Sequence, residues 1–106
     1  MENLNKTQKN ISAEPISVLK FYRNNKSIIT KSEDSFKEWL ENNNLARLYK
    51  KRFIASDFAI EMGYMTNYKK LILDLNNFDC FINFGAKITP KGQEYILAMF
   101  MEDLNE

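Results

Sequence analysis

Residues 56–77 are SDFAIEMGYMTNYKKLILDLNN, and their spacing predicts two helices joined by a turn. Ser56 is a good helix N-cap, and Gly63 can take the positive φ that often ends a helix. Thr66 is a second N-cap candidate, followed by apolar residues at spacings of three, one and three, namely Tyr68, Leu71, Ile72 and Leu75. A short helix, a glycine turn and a longer helix are typical of a helix-turn-helix.

A period of two follows this motif and predicts a small hairpin. Residues 78–84 alternate as one strand, Gly85 forms the turn, and residues 86–88 form the return strand. Thr89 and Pro90 then open a final helix, because Thr caps helices and Pro is tolerated in their first turn. The order of helix-turn-helix, hairpin and terminal helix is the outline of a winged helix.

The N-terminal half contains further helical patterns. Residues 1–11 lack apolar periodicity and are expected to form a flexible tail, whereas residues 12–106 form a single domain. We expect helices that begin at Ser12 and Ser35, a short strand over 27–30, and a short basic helix over 45–52. The predicted fold class is therefore mainly α with a small β-hairpin, a winged helix-turn-helix preceded by two or three N-terminal helices.

The composition restricts the function classes. A chain of 106 residues with 44% apolar residues fits one small domain with a core. The absence of His and the single Cys exclude His-based catalysis and multi-cysteine zinc sites. We therefore expect a binding protein and not an enzyme, without metal or cofactor.

No segment has the roughly 18 apolar residues needed to cross a bilayer, and the N-terminus is polar, unlike a secretory signal. The sequence therefore favours a cytoplasmic protein without a membrane partner, in which a lone thiol stays reduced.

The C-terminal half resembles a known family. Residues 87–96, KITPKGQEYI, are similar to the end of phage antirepressor C-terminal domains of the KilA-C type, in which a strand enters a Thr-Pro-Lys-Gly turn and the last helix. Lys69-Lys70-Leu71, with the later Leu75 and Phe78, resembles the recognition helix of that family. The resemblance covers about residues 53–100 and implies a phage or mobile-element winged helix that binds DNA or regulates transcription.

This resemblance selects candidate DNA-binding residues. A recognition helix places its N-terminal polar residues in the major groove. Lys87 and Lys91 would flank the DNA backbone from the wing and the last helix. The residues on the predicted recognition helix are Thr66, Asn67, Lys69 and Lys70. The alternative is an ordinary solvated helix face.

The densest positive charge lies elsewhere, within residues 47–52. This cluster could hold a phosphate backbone beside the motif, or it could complement the dipole of a helix C-terminus, with Tyr49 packed inward. Its members are Arg47, Lys50, Lys51 and Arg52.

The net charge of +1 supports a second hypothesis. Without a global positive field, the fold could serve as a protein-binding inhibitor of a host defence or regulatory complex, in the manner of an antirepressor or anti-CRISPR protein. Its partner would be a nucleic-acid-binding protein that contacts acidic side chains, namely Glu38, Glu41, Glu102 and Asp103. Under the first hypothesis the partner is double-stranded DNA, and we expect a homodimer, because one short recognition helix supplies few contacts.

Overall fold

The computed structural model describes residues 9–50, 52–74, 76 and 79–104, with residues 70–72, 74, 79–84, 103 and 104 described by their backbone alone. These residues form four helices and five strands. In chain order the elements are β1 (Ile16–Ser17), α1 (Val18–Asn24), α2 (Glu33–Asn42), β2 (Ala46–Tyr49), β3 (Arg52–Ala55), α3 (Asp57–Met62), β4 (Met65–Asp74), β5 (Asp79–Ile88) and α4 (Pro90–Leu104).

The strands form two antiparallel sheets. The first has the order β1-β5-β4, and its β4–β5 ladder runs from the Met65–Ile88 pair to the Asp74–Asp79 pair. The second sheet is the β2–β3 hairpin, in which the residue pairs run from Ala46–Ala55 to Tyr49–Arg52. The Oδ1 atom of Asn67 on β4 accepts a hydrogen bond from the Ala55 amide of β3 at 2.8 Å, which joins the two sheets.

The predicted fold class is wrong, because the chain is a mixed α/β fold with two antiparallel sheets. The segment that begins at Thr66 is strand β4 and not a recognition helix. Its apolar spacing suits a helix, but each of its residues has a partner on β5, and this long-range ladder overrides the local pattern. The described residues therefore contain no helix-turn-helix after Ser56.

Gly85 lies within β5 and does not form the predicted turn. It pairs with Tyr68, and a Cβ added to Gly85 would lie 3.2 Å from the Tyr68 ring. A glycine inside a strand often marks such a close approach. The strand consequently continues from Asp79 to Ile88 instead of ending at Gly85.

The predicted basic helix over 45–52 is also wrong, since this segment contains β2, the beginning of β3 and the connection between them. Asn44 and Lys50 have positive φ values of 59° and 49°, which right-handed helices do not permit. The Leu45 amide bonds to the Leu40 carbonyl at the end of α2, so the chain turns away from the helix there.

Local signals identify some helix ends correctly and miss others. Ser56 caps α3 through the Ala59 amide, and Gly63 ends that helix with φ of 80°, so both predictions are confirmed. The final helix begins at Pro90, as predicted. In contrast, α1 and α2 are capped by Ser17 and Ser32 rather than by Ser12 and Ser35, and the strand predicted over 27–30 is absent.

Some predictions concern positions outside the described residues. These are residues 1–8 of the predicted tail, and Leu75 and Phe78 of the segment that resembles a recognition helix. The described end of the tail is attached to the domain, since the Asn10 amide donates to the Asn25 Oδ1 at 2.8 Å.

The core lies between the three-stranded sheet and the helices. Ile88 and Met65 are buried on the sheet, and Phe36 and Phe100 bring α2 against α4 with ring centroids 6.1 Å apart. The fully buried Gln93 of α4 accepts a hydrogen bond from the Ser12 amide and donates to the Glu14 and Ile88 carbonyls. Those bonds fasten the chain before β1 to the last helix.

Gly92 marks a close approach that tolerates no side chain. A Cβ at this position would lie 1.8 Å from the Tyr64 carbonyl oxygen. We expect Gly92→Ala to lower the free energy of unfolding by about 3 kcal/mol or more, because the backbone must move to relieve the clash. Urea denaturation would measure this decrease. The exposed Ala98 on the same helix provides the control, since Ala98→Ser should change stability by less than about 0.5 kcal/mol. Equal stability of the Gly92→Ala variant and the native protein would contradict this packing.

Candidate nucleic-acid interface

The β2–β3 hairpin is anchored at its base and exposed at its end. Ala46, Ile54 and Ala55 are buried, whereas Leu48 and Tyr49 are 62% and 43% exposed. The Ser56 amide bonds to the Leu45 carbonyl across the base of the hairpin. Tyr49 was predicted to pack inward on a helix, but a strand that extends beyond the core leaves its side chain in solvent.

Two cations lie against the exposed Tyr49 ring. The Arg47 guanidinium carbon and the Lys50 Nζ are 5.6 Å and 5.3 Å from the ring centroid. Both distances are within the roughly 6 Å range of cation–π attraction. Arg47 and Tyr49 are two residues apart on β2 and therefore lie on the same face of the strand. Arg52 pairs with Tyr49 across the hairpin. The ring therefore orders positive charge at the end of the hairpin.

The charge of the hairpin contrasts with that of the chain. Residues 46–55 include Arg47, Lys50, Lys51 and Arg52 and no acidic residue, although the whole chain carries a net charge of only +1. Lys51 lies outside the described residues. The three described members, Arg47, Lys50 and Arg52, thus belong to one hairpin and not to a helix terminus.

The residues predicted on a recognition helix are distributed along β4. Thr66 is half-buried and pairs with Lys87, and Lys69 is exposed and pairs with Phe84. Lys70 pairs with Asn83, and only its backbone is described. Strand alternation separates neighbouring side chains onto opposite faces, so β4 cannot present them as the single row that a helix would.

Asn67 has a structural partner instead of a free amide. Its Oδ1 atom is the acceptor for the Ala55 amide, at the point where β3 meets β4. This bond gives the Asn67 side chain a structural role at the junction of the two sheets.

Lys87 and Lys91 both contact tyrosine rings. The Nζ of Lys87 is 5.2 Å from the Tyr68 centroid, and the Nζ of Lys91 is 5.4 Å from that of Tyr64. Tyr64 also stacks on Tyr95 of α4 at 4.1 Å. Each lysine thus lies against a different tyrosine, Lys87 of β5 against Tyr68 and Lys91 of α4 against Tyr64.

The acidic residues predicted to bind a protein lie on two helices that touch each other. Glu38 and Glu41 are exposed on α2, and Glu102 is exposed on α4. The Trp39 and Phe100 rings, with centroids 4.5 Å apart, connect these helices. Asp103 is described by its backbone alone. The acidic residues thus belong to two helices that contact each other through aromatic rings.

Sequence reasoning did not identify an apolar surface on α3. Phe58, Ile60 and Met62 are 40%, 46% and 40% exposed, and only Ala59 of this six-residue helix is buried. The spacing of these apolar residues also suits a helix face in the core, and only the tertiary structure shows that they are exposed.

Comparison of the chain with protein-family models, curated proteins and solved structures finds no match. The resemblance of residues 53–100 to antirepressor domains stays a prediction. Among the described residues no cluster of metal-ligating side chains occurs, and none of their helices has the length and apolarity to span a bilayer.

Substitution of Asn67 tests whether this residue has a structural role or a ligand-binding role. Asn67→Ala leaves the Ala55 amide without its acceptor, so we expect the free energy of unfolding to fall by about 1–2 kcal/mol. Thermal and urea denaturation would measure this change. Lys69→Ala, two residues along the same strand and exposed, is the matched control and should remain within about 0.5 kcal/mol of the native protein. An Asn67→Ala variant as stable as the control would show that this bond does not join the sheets.

Proposed function

We propose that this protein binds double-stranded DNA through the β2–β3 hairpin and acts in the regulation of transcription. The observation that carries the proposal is the exposed Tyr49 ring, with Arg47 and Lys50 held against it at the end of a basic hairpin.

The shape of the hairpin fits a DNA groove. The B-DNA major groove is about 12 Å wide and admits a two-stranded β-ribbon. Each strand has four residues and is therefore roughly 13 Å long, which allows the end of the hairpin to enter while its base stays in the protein. The buried anchors Ala46, Ile54 and Ala55 keep that base fixed.

The side chains of the hairpin supply two kinds of interaction. Arg47 and Lys50 offer N–H donors to phosphate oxygens, and the counterions that the DNA then releases provide affinity. Leu48, at 62% exposure, provides an apolar surface for thymine methyl groups or a base step. Positioning by phosphate contacts and readout by base contacts are the two components of specific DNA recognition.

Removal of the hairpin charge should weaken DNA binding while the fold remains intact. We expect the triple variant Arg47→Gln, Lys50→Gln and Lys51→Gln to lower affinity for a random duplex of roughly 30 base pairs by about tenfold or more at low salt. The salt slope should decrease by about 0.9 for each phosphate that is no longer neutralised. Fluorescence anisotropy would measure both. A matched control removes three exposed lysines outside the hairpin, with Lys20→Gln, Lys26→Gln and Lys31→Gln.

Substitutions of Tyr49 distinguish the contribution of its ring to DNA binding from that of the positive charges alone. Tyr49→Phe keeps the ring that orders the cations, whereas Tyr49→Ala removes it, so only the second should weaken duplex binding. The proposal is wrong if the native protein does not retard duplex at low salt, or if both triple variants bind equally. Tighter binding to a single strand of the same sequence would overturn the assignment to duplex DNA.

The acidic residues on α2 and α4 favour a second candidate function, inhibition of a nucleic-acid-binding protein. These residues lie on two helices that pack together at Trp39 and Phe100, and their carboxylates can imitate phosphate. In this case Glu38→Lys, Glu41→Lys, Glu102→Lys and Asp103→Lys together should abolish biological activity without unfolding, as measured by regulation of a reporter and by circular dichroism. Added positive charge would, if anything, strengthen DNA binding, so unchanged or increased activity contradicts the inhibitor hypothesis.

A further inference from the structure

The outer edge of β4 lacks a partner strand among the described residues. The order β1-β5-β4 places β4 at the end of its sheet, and the ladder with β5 uses only one of its two edges. An edge strand of ten residues presents a row of main-chain N–H and C=O groups that another strand can pair with.

The part of the β4–β5 ladder near the Asp74–Asp79 pair has an apolar sequence on both strands. Leu71-Ile72-Leu73 on β4 lies opposite Cys80-Phe81-Ile82 on β5. Continuous apolar runs of this kind are typical of strands buried on both faces. Leu73, in contrast, is 62% exposed. A two-stranded ribbon alone is also only marginally stable in water, so this segment gains from an additional strand.

The end of the ladder places two like charges side by side. Asp74 of β4 pairs directly with Asp79 of β5. Like charges in directly opposite positions destabilise a strand pair. A cation on the other side of Asp74, supplied by a strand at the outer edge of β4, would offset this repulsion.

The charges of β4 specify which strand would fit. Lys70 and Asp74 are four residues apart and therefore lie on the same face of the strand. When two copies of β4 pair antiparallel about a two-fold axis at Ile72, Lys70 of each copy lies opposite Asp74 of the other. The same register places Leu71 of one copy opposite Leu73 of the other, which gives the exposed Leu73 an apolar neighbour.

Lysine on an edge strand normally prevents association. In this register Lys70 has a carboxylate partner, and opposite charges across a strand pair are stabilising. Asp74 of each copy then has Asp79 of its own chain as the partner on one side and Lys70 of the second copy as the partner on the other.

We propose that a second copy of this chain pairs with β4, antiparallel and in this register, and forms a six-stranded sheet that continues through both protomers. The two-fold symmetry makes the interface isologous, so one segment supplies both sides of it. The inference is independent of the proposed DNA binding, because the residues that carry it are on β4 and not on the hairpin.

Charge reversal at the two ends of the paired segment tests the register. We expect sedimentation equilibrium of the native protein, without nucleic acid, to show a monomer–dimer equilibrium. Lys70→Glu and Asp74→Lys should each weaken dimerisation about tenfold or more, because each replaces two attractive pairs by two repulsive ones. An equimolar mixture of these two variants should form heterodimers, since every pair is then attractive. The double variant should dimerise with itself for the same reason.

Lys20→Glu, a reversal at an exposed position on α1, is the control and should leave dimerisation unchanged. A native protein that stays monomeric at the highest soluble concentration would overturn the proposal. It would also be overturned by single reversals without effect, or by a mixture that does not restore association. Each outcome is independent of DNA binding, which the hairpin variants measure separately.

Discussion

The antiparallel ladder between β4 and β5 is the constraint on which the other elements depend. Its first pair, Met65 and Ile88, is buried in the hydrophobic core. Ile88 also pairs with Ile16, which brings β1 and the start of α1 onto the same sheet. Beyond the ladder, the Thr89 Oγ1 lies within hydrogen-bond distance of the Gly63 and Tyr64 carbonyls and accepts from the Gly92 amide. The closing of the ladder therefore fixes the end of α3 and the beginning of α4 together.

The candidate interface depends on the same ladder, although its residues lie outside it. The β2–β3 hairpin has only four residues in each strand and could not keep a fixed direction alone. The bond between Asn67 and Ala55 attaches β3 to β4, and the burial of Ala46 and Ile54 attaches the base of the hairpin to the core. The cations around Tyr49 gain their position from this attachment, since the hairpin end itself is largely in solvent.

The sequence allowed the local features to be predicted, and the long-range features were predicted incorrectly. The caps at Ser56 and Gly63 and the helix start at Pro90 depend on a few neighbouring residues, and these predictions were correct. Residues 65–74 have apolar spacing that suits a helix, and only their pairing with residues 79–88 makes them a strand. Such pairing is not encoded in a local window. The same error affected the site: the basic cluster was recognised from its charge, but its hairpin geometry and the exposure of Tyr49 depend on tertiary structure.

Local concentration of charge explains how a nearly neutral chain could bind a polyanion. Counterion release depends on the cations that touch phosphate and not on the net charge, so the basic residues of one hairpin can act while acidic residues lie on helices elsewhere. A net charge of only +1 would then limit attraction to DNA away from the hairpin. A single hairpin offers few contacts, and the proposed pairing through β4 would place two hairpins in one particle. Two linked sites raise the overall affinity through effective concentration without any new contact, provided that the geometry lets both engage one duplex. The two proposals can thus be tested independently, and dimerisation through β4 would strengthen DNA binding by the hairpins.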